Sequence, residues 1–518
     1  MHRLVIASVT LIGLVAIAVV AGYVVLFAGA GDRAASLAPA STVAYANVYL
    51  QPSTGQMANL SGLIGRLPGF ADEAALDDKI DQVVQNLLAA TGIDYRADVK
   101  PWLGDQIAIA AWPTGTDATQ ASTVIFADTS DPDAALASIA TITADQGLTF
   151  TTETYDGTEL HVAEGTAYAV VGGMLVVGNG ADAIHAVLDT SGGSASLAAL
   201  PAFTEAMDEL PNDYLASFYV DLAGLAEASG TADELGRVTT ASAVLVAEPD
   251  GLKLSGSAPL TAVPGVEPSA APAAEQGTLT GWMPERTLAE ITVFGLRDTL
   301  EEGLAVAGEV PESEEVTSTL DTLRTLAAFA LGVDLEADVL PLLEGETAVA
   351  FGGFGATGMP SGQLLLLPSD PDAAMGTLGR IADRIGSSGG NSSTETLDGI
   401  EVTTISIPDT GEAAFGVVDG VVVIGLSAAD VAAVAEARSS GFSLESSSAY
   451  ERAFEVAGVR AGTEVFVDVG TLGSLLSLVV ELPDDARDIL SGLGSFALTV
   501  PTEPNQIDFS AVLTVDEP

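Results

Sequence analysis

Apolar side chains recur at every second position through some short runs of this chain and at every third or fourth through others. The first period marks half-buried strands and the second one face of a helix, so the two kinds of element alternate. Residues 45–50, 106–112 and 122–127 read as strands. Residues 55–90 read as helix interrupted at Pro68-Gly69, and Leu136, Ile139, Ala140 and Thr143 line one face of another. A meander follows over 149–155, 158–163, 167–171 and 174–178, with Asp156-Gly157 and Gly172-Gly173 at turns suited to tight hairpins. Helices over 181–188 and 202–210 and strands over 238–247 and 252–257 close the pattern. Consecutive hairpins with helices between them predict an α+β fold with antiparallel-dominated sheets.

The whole pattern then runs again. T-G-I-D-Y-R-A-D-V-K-P-W-L-G-D-Q from Thr91 returns as L-G-V-D-L-E-A-D-V-L-P-L-L-E-G-E from Leu331. In the same order, D-P-D-A-A-L from Asp131 answers D-P-D-A-A-M from Asp370, and Y-D-G-T-E-L from Tyr155 answers L-D-G-I-E-V from Leu397. A-V-V-G-G-M-L-V-V-G from Ala169 answers G-V-V-D-G-V-V-V-I-G from Gly416, and F-Y-V-D-L from Phe218 answers V-F-V-D-V from Val465. Ordered matches of this kind mean a duplicated module. The expected boundaries are module 1 over 37–258, a Pro/Ala-rich linker over 259–277 and module 2 over 278–518.

Residues 4–30 carry no charged side chain and are long enough to cross a ~30 Å hydrocarbon core as a helix. Arg3 precedes them, so the expectation is a cytoplasmic stub at 1–3 and a single-pass transmembrane helix over 4–30. A tether over 31–36 and an extracytoplasmic body follow. The expected partner of 4–30 is the lipid bilayer; the alternative is secretion after cleavage near Ala30. With no cysteine in the chain, disulfides, thiolate chemistry and lipid-modified thiols are excluded.

The chain holds 71 Asp and Glu against 17 Lys and Arg, a formal charge of −54. Nucleic acid is therefore not expected as a partner, since phosphate binding needs clustered cations. The acids are spread singly, which reads as a solvated surface; a saline habitat or cation binding are the alternatives.

The segments P-A-S-T-V-A-Y-A-N-V-Y-L-Q-P-S-T-G-Q from Pro39, L-I-G-R-L-P-G-F from Leu63 and D-V-K-P-W-L-G-D-Q-I-A-I-A from Asp98 follow the apolar N-terminus. Together they resemble a bacterial family of membrane-anchored envelope proteins catalogued as a domain of unknown function. The resemblance implies an exported location and brings no catalytic residues.

Asp128, Asp131 and Asp133 are weak metal candidates, because their spacing lacks the Gly and Glu of a calcium loop. Asp131 fits better as a helix cap followed by Pro132, as Asp370 does in the copy. Asp98 and Asp338 read as caps of short helices, Asp221 and Asp468 as caps after matching strands, and Trp102 as a core anchor. His161 and His185 give way to Thr403 and Ala432 in the second copy. No nucleophile elbow, zinc motif, Walker loop or dinucleotide fingerprint occurs. No catalytic, cofactor or ligand residue is thus expected. The function expected is non-enzymatic binding or scaffolding at the cell envelope, towards an unknown partner. The alternatives are a carboxylate-based hydrolase of envelope polysaccharide and an apolar or lipid ligand-binding protein.

Self-repulsion among this many carboxylates is relieved as the Debye length shortens from ~30 Å at 0.01 M to ~8 Å at 0.15 M salt. The melting temperature is therefore expected to climb with NaCl over that range and then flatten. Calcium titration at constant ionic strength checks this: a saturable rise lost in Asp128→Ala or Asp131→Ala would instead establish cation binding.

Overall fold

Four hairpin turns set how the strands run. Asp156-Gly157 (φ 46° and 82°), Gly172-Gly173 (59° and 81°), Asp398-Gly399 (52° and 85°) and Asp419-Gly420 (47° and 87°) all take positive φ. Two such residues in succession make the tight turn whose twist matches antiparallel strands, and Asp and Gly tolerate it best. The computed structural model describes residues 32–68, 81, 85, 93–114, 121–145, 148–230, 238–261, 277–298, 300–301, 332–354, 358–407, 411–458, 460–477, 487, 490–503 and 505–516.

The described chain forms two units. Unit 1 takes the chain to Ser269 together with 504–509 and 515–518; unit 2 takes Ala270–Glu503 together with 510–514. In unit 1 the strands are β1 (Ala44–Tyr49), β2 (Leu103–Pro113), β3 (Ala121–Thr129), β4 (Thr151–Tyr155), β5 (Thr158–Ala163), β6 (Thr166–Val171), β7 (Met174–Gly178), β8 (Ala216–Asp221), β9 (Thr240–Glu248) and β10 (Gly251–Pro259). They lie in the order β4-β5-β6-β7-β3-β2-β1-β8-β9-β10, every pair antiparallel. In unit 2 they are β11 (Ala289–Val293), β12 (Thr347–Phe354), β13 (Pro360–Leu366), β14 (Asn391–Leu397), β15 (Ile400–Ile407), β16 (Gly411–Val418), β17 (Val421–Gly425), β18 (Thr463–Asp468) and β19 (Leu493–Val500). Their order, β14-β15-β16-β17-β13-β12-β11-β18-β19, repeats that of the first unit strand for strand. Of the last strand, Gln506–Val515, residues Ser510–Thr514 belong to unit 2, where Ser495 N donates to Thr514 Oγ1 at 2.7 Å.

The helices of unit 1 are α1 (Arg33–Leu37), α2 (Thr54–Arg66), α3 (Pro132–Asp145), α4 (Ala181–Ser191), α5 (Pro201–Asp208) and α6 (Leu222–Ser229). Those of unit 2 are α7 (Pro371–Ser387), α8 (Ala428–Ser440), α9 (Ser448–Ala457) and α10 (Val469–Ser477). Alternation along β2 sends Ala108, Ala110 and Trp112 to one face, where α1, α4 and α5 cover them with Ala34, Ala35, Ile184, Val187 and Phe203. Leu279, Met283, α8 and α9 cover the matching face of unit 2. On the other face α3 packs Ala135, Leu136 and Ile139 near Trp102, and α7 packs Ala374, Leu378 and Ala382 against Leu366 and Phe415.

Several expectations need correction. Among the described residues no helix is long and apolar enough to cross a membrane, so the transmembrane anchor and the single-pass location built on it are not supported. Residues 4–30, on which that reading rested, lie outside the described residues, as does the continuation of the 55–90 helix after Pro68 apart from positions 81 and 85. The tether expected over 31–36 is instead core. Asp32 caps α1, and Ala34, Ala35 and Ala38 are at most 1% exposed, because small side chains let this segment lie close on the sheet. Likewise Gly277, assigned to the linker, is bonded into unit 2, and residues 504–509 and 515–518 group with unit 1 rather than with module 2.

The caps shift too. Asp94 and Asp334, not Asp98 and Asp338, cap the one-turn π-helices at Tyr95–Val99 and Leu335–Val339, accepting from Ala97 N at 3.1 Å and Ala337 N at 2.8 Å. Asp98 and Asp338 return the bond by accepting from Asp94 N and Asp334 N, both at 2.9 Å. The pairs work as reciprocal boxes one residue wider than usual, because the turn itself is wider. Asp94→Ala and Asp334→Ala are each expected to cost about 1 kcal/mol in urea denaturation.

Candidate functional site

The carboxylates singled out in the sequence are engaged in structure. Asp128 accepts from Arg33 Nη2 at 2.7 Å and Asp105 N at 2.9 Å, and Asp131 accepts from Ala134 N at 3.1 Å at the start of α3. Asp133 lies exposed in the first turn of that helix. Asp221 and Asp468 accept from Gly224 N and Thr471 N at 2.9 and 2.8 Å, opening α6 and α10. Trp102 is buried, its indole N–H donating to Asp98 O at 2.6 Å. His185 stacks on Tyr155 with centroids 4.0 Å apart and meets Glu153 Oε1 at 3.0 Å, while His161 stacks on Tyr168. Among the described residues no group of three His, Asp or Glu side chains is arranged to hold a metal ion.

The unusual chemistry lies elsewhere, on the helix-covered face beneath the segment leading into each unit. In unit 1 that segment contributes an acid. Asp32 Oδ1 accepts from Tyr45 OH at 2.5 Å, Gln106 Nε2 at 2.7 Å and Ala35 N at 3.0 Å. Gln106 Nε2 also donates to Asn47 Oδ1 at 2.7 Å, and Gln106 Oε1 accepts from Arg33 N at 3.1 Å. Burial raises the Asp32 carboxyl above its ordinary 3.8, against the lowering effect of its donors.

Counting back from Pro39 and Pro284, which make matching bridges to Ser196 and Ser443, Gly277 stands where Asp32 does and Thr278 where Arg33 does. Here the sheet supplies the acids. Glu346, in the place of Gln106, accepts from Thr278 N at 2.8 Å, Leu279 N at 2.7 Å and Thr278 Oγ1 at 2.6 Å. Glu464 accepts from Gly277 N at 3.2 Å, Tyr450 OH at 3.3 Å and Arg460 Nη2 at 3.1 Å. Arg460 Nη2 also reaches Gly277 O at 3.1 Å and Thr280 Oγ1 at 3.3 Å. Glu290, in the place of Tyr45, receives among the described residues only the Thr292 hydroxyl at 2.9 Å, and its Oε1 has no partner there. Glu290, Glu346 and Glu464 are 3%, 4% and 0% exposed. Burial pushes the Glu290 carboxyl up to about 8, helped by Glu464 and Glu346 and opposed by the Thr292 hydroxyl and by Arg460. Reading the acids as solvated surface missed this trio. The signal was present in the repeat, which places all three opposite Tyr45, Gln106 and Ser217, on strand faces that alternate inward.

Among the described residues, the opposite face of unit 2 is apolar and partly open. One register row runs Leu498, Val465, Ile291, Val349, Leu364, Ile424 and Phe415 across seven strands. The α7 helix covers its Phe415 end, whereas Ile291 and Val349, directly paired, remain 43% and 49% exposed. Phe354 and Met359, at the end of the β12–β13 hairpin, are 63% and 64% exposed. The matching row of unit 1 passes through Phe218, Ala46, Ile109, Ile125 and Val177, and Ile125 is 47% exposed.

Residues 4–513 match the family model described as a protein of unknown function, DUF3352. The chain belongs to that family. The match, which covers nearly the whole chain, carries neither a bacterial source nor a membrane anchor. No curated protein matches. Similar solved structures include TP0453 in crystal form III, at 13% identity and a TM-score of 0.26 over 46% of this chain and 84% of that one. Crystal form IV gives 12%, 0.25, 43% and 79%. At those scores the likeness carries no argument for this family member.

Glu290 makes stability fall with pH. Its folded value of about 8 exceeds the ordinary 4.5, so the folded chain holds a proton that the unfolded chain has already released. The contribution is full below 4.5 and lost progressively up to about 8. Its ceiling is roughly 5 kcal/mol at 1.36 kcal/mol per pH unit. Thermal denaturation of the wild type and Glu290→Gln across that window is expected to show a shallower pH slope in the variant. Asp32 is shifted in the same direction.

Proposed function

We propose that this protein is a non-enzymatic binding protein whose ligand is an uncharged apolar molecule, such as the acyl chain of a neutral lipid, seated on the open sheet face. The observation that carries this reading is the paired exposure of Ile291 and Val349 in the middle of an apolar row. An apolar sheet face is ordinarily covered by a second layer, and one left open in mid-sheet marks a place where something else binds. The charge of −54 disfavours anionic head groups and so narrows the ligand class. Glu290, Glu346 and Glu464 are at most 4% exposed, which gives a polysaccharide no route to them and favours binding over hydrolysis.

Fluorescence of the neutral probe N-phenyl-1-naphthylamine, displaced by a monoacylglycerol, tests the reading. Wild type is expected to bind saturably, and Val349→Asp to weaken binding about tenfold, the effect of roughly 1.4 kcal/mol. Absence of saturable binding, or a variant that binds like wild type, would overturn it.

A further inference from the structure

We propose that residues 277–281 form a pH-sensitive latch on unit 2, held shut by Glu346 and Glu464 and released when the buried carboxyl of Glu290 beside them loses its proton. Three carboxyl groups converge here from β11, β18 and the residue before β12, and the guanidinium facing them is that of Arg460. Tyr450 from α9 donates a hydroxyl, Thr292 from β11 another, and Glu445 draws on Arg460 from 3.7 Å away. With every acid ionised, two negative charges would stay without a counter-ion in a space closed to water, an arrangement the protein avoids by holding a proton. Glu346 and Glu464 each collect several donors, whereas Glu290 has, among the described residues, one hydroxyl and an oxygen without a partner. Its upward shift agrees with a proton held there.

The segment is held to the trio by its own donors. Thr278 N, Thr278 Oγ1, Leu279 N and Gly277 N all bond to the same two carboxylates, so repulsion within the trio strains the bonds that hold the segment down. A Cβ at Gly277 would crowd the two carboxylates, meeting Glu464 Oε2 at 3.1 Å and Glu346 Oε1 at 3.4 Å. Lifting it is the shortest way to bring water to an ionised Glu290. Unit 1 lacks the device, because Tyr45 stands where Glu290 does and the acid, Asp32, belongs to the segment itself. It serves as the internal control.

Hydrogen exchange of the full chain, corrected for intrinsic rate, tests the latch at about pH 7 and about pH 9. The Thr278 and Leu279 amides are expected to lose protection about tenfold in wild type and to keep it in Glu290→Gln. Arg33 and Ala35 in unit 1 and Val423 in β17 should not follow. Uniform protection across the range, an equal loss in Glu290→Gln, or a parallel loss at Val423 would each overturn the proposal, the last by showing whole-unit destabilisation. Should Glu290→Gln not fold, Thr278→Val replaces it. Removing that hydroxyl bond to Glu346 is expected to move the opening to lower pH, and an unmoved opening overturns the latch.

Discussion

Each unit rests on one accommodation: a stretch of backbone lies over a sheet, and a side chain in or beside a strand accepts from its N–H groups. Gln106 does this for Arg33 and Glu346 does it for Thr278 and Leu279. A buried amide without a partner costs about as much as several buried methylenes contribute, so this bond decides whether the segment stays down. While it stays, Ala34, Ala38, Leu279 and Met283 close the inner core, and Leu197 N and Leu444 N bond to Ala38 O and Met283 O at 2.8 and 2.9 Å. The helix layers built from α4, α5, α8 and α9 are thereby fixed at their edge.

The copies meet that constraint with opposite polarity. In unit 1 the acid travels with the segment and the sheet offers neutral partners: the phenol of Tyr45 and the side-chain amide of Gln106. In unit 2 the segment offers bare backbone and the sheet holds the acids. A carboxylate makes stronger bonds to N–H donors than an amide does, so Glu346 can hold two adjacent amides and a hydroxyl at 2.6–3.0 Å. The cost is local charge, which Arg460 neutralises for one acid and a proton for another. Arg460 fits this role because its planar group also lies over the rings of Tyr450 and Phe454, at 5.1 and 5.4 Å from their centroids. Duplication preserved the topology and let the electrostatics diverge.

Much of this was legible in the sequence. The period-2 runs and the Asp-Gly and Gly-Gly pairs located the meanders, since both signals are local. The repeat implied that one module's topology would serve for both. What escaped was tertiary. Glu290 in T-L-A-E-I-T-V has the look of a solvent-side residue, and only its alignment with Tyr45 places it inward. Asp94 escaped because the cap sits before a π-helical turn, which shifts the spacing by a residue. The tether reading failed for a related reason: R-A-A-S-L is too short to show a helical period, and its alanines are buried by contact with a sheet that a local window does not see.

The two populations of acid have complementary roles. An open apolar row such as that through Ile291 and Val349 invites self-association, because two copies could bury it against one another. Surface carboxylates oppose this at every approach, with repulsion between chains of −54 acting before the apolar faces meet. A small uncharged ligand feels none of that barrier. On the proposed reading, the same charge would keep copies apart and leave the face available, whereas the buried acids of unit 2 are withdrawn from the surface. One composition serves solubility outside and titration inside, and burial of a few positions by strand parity is what separates the two.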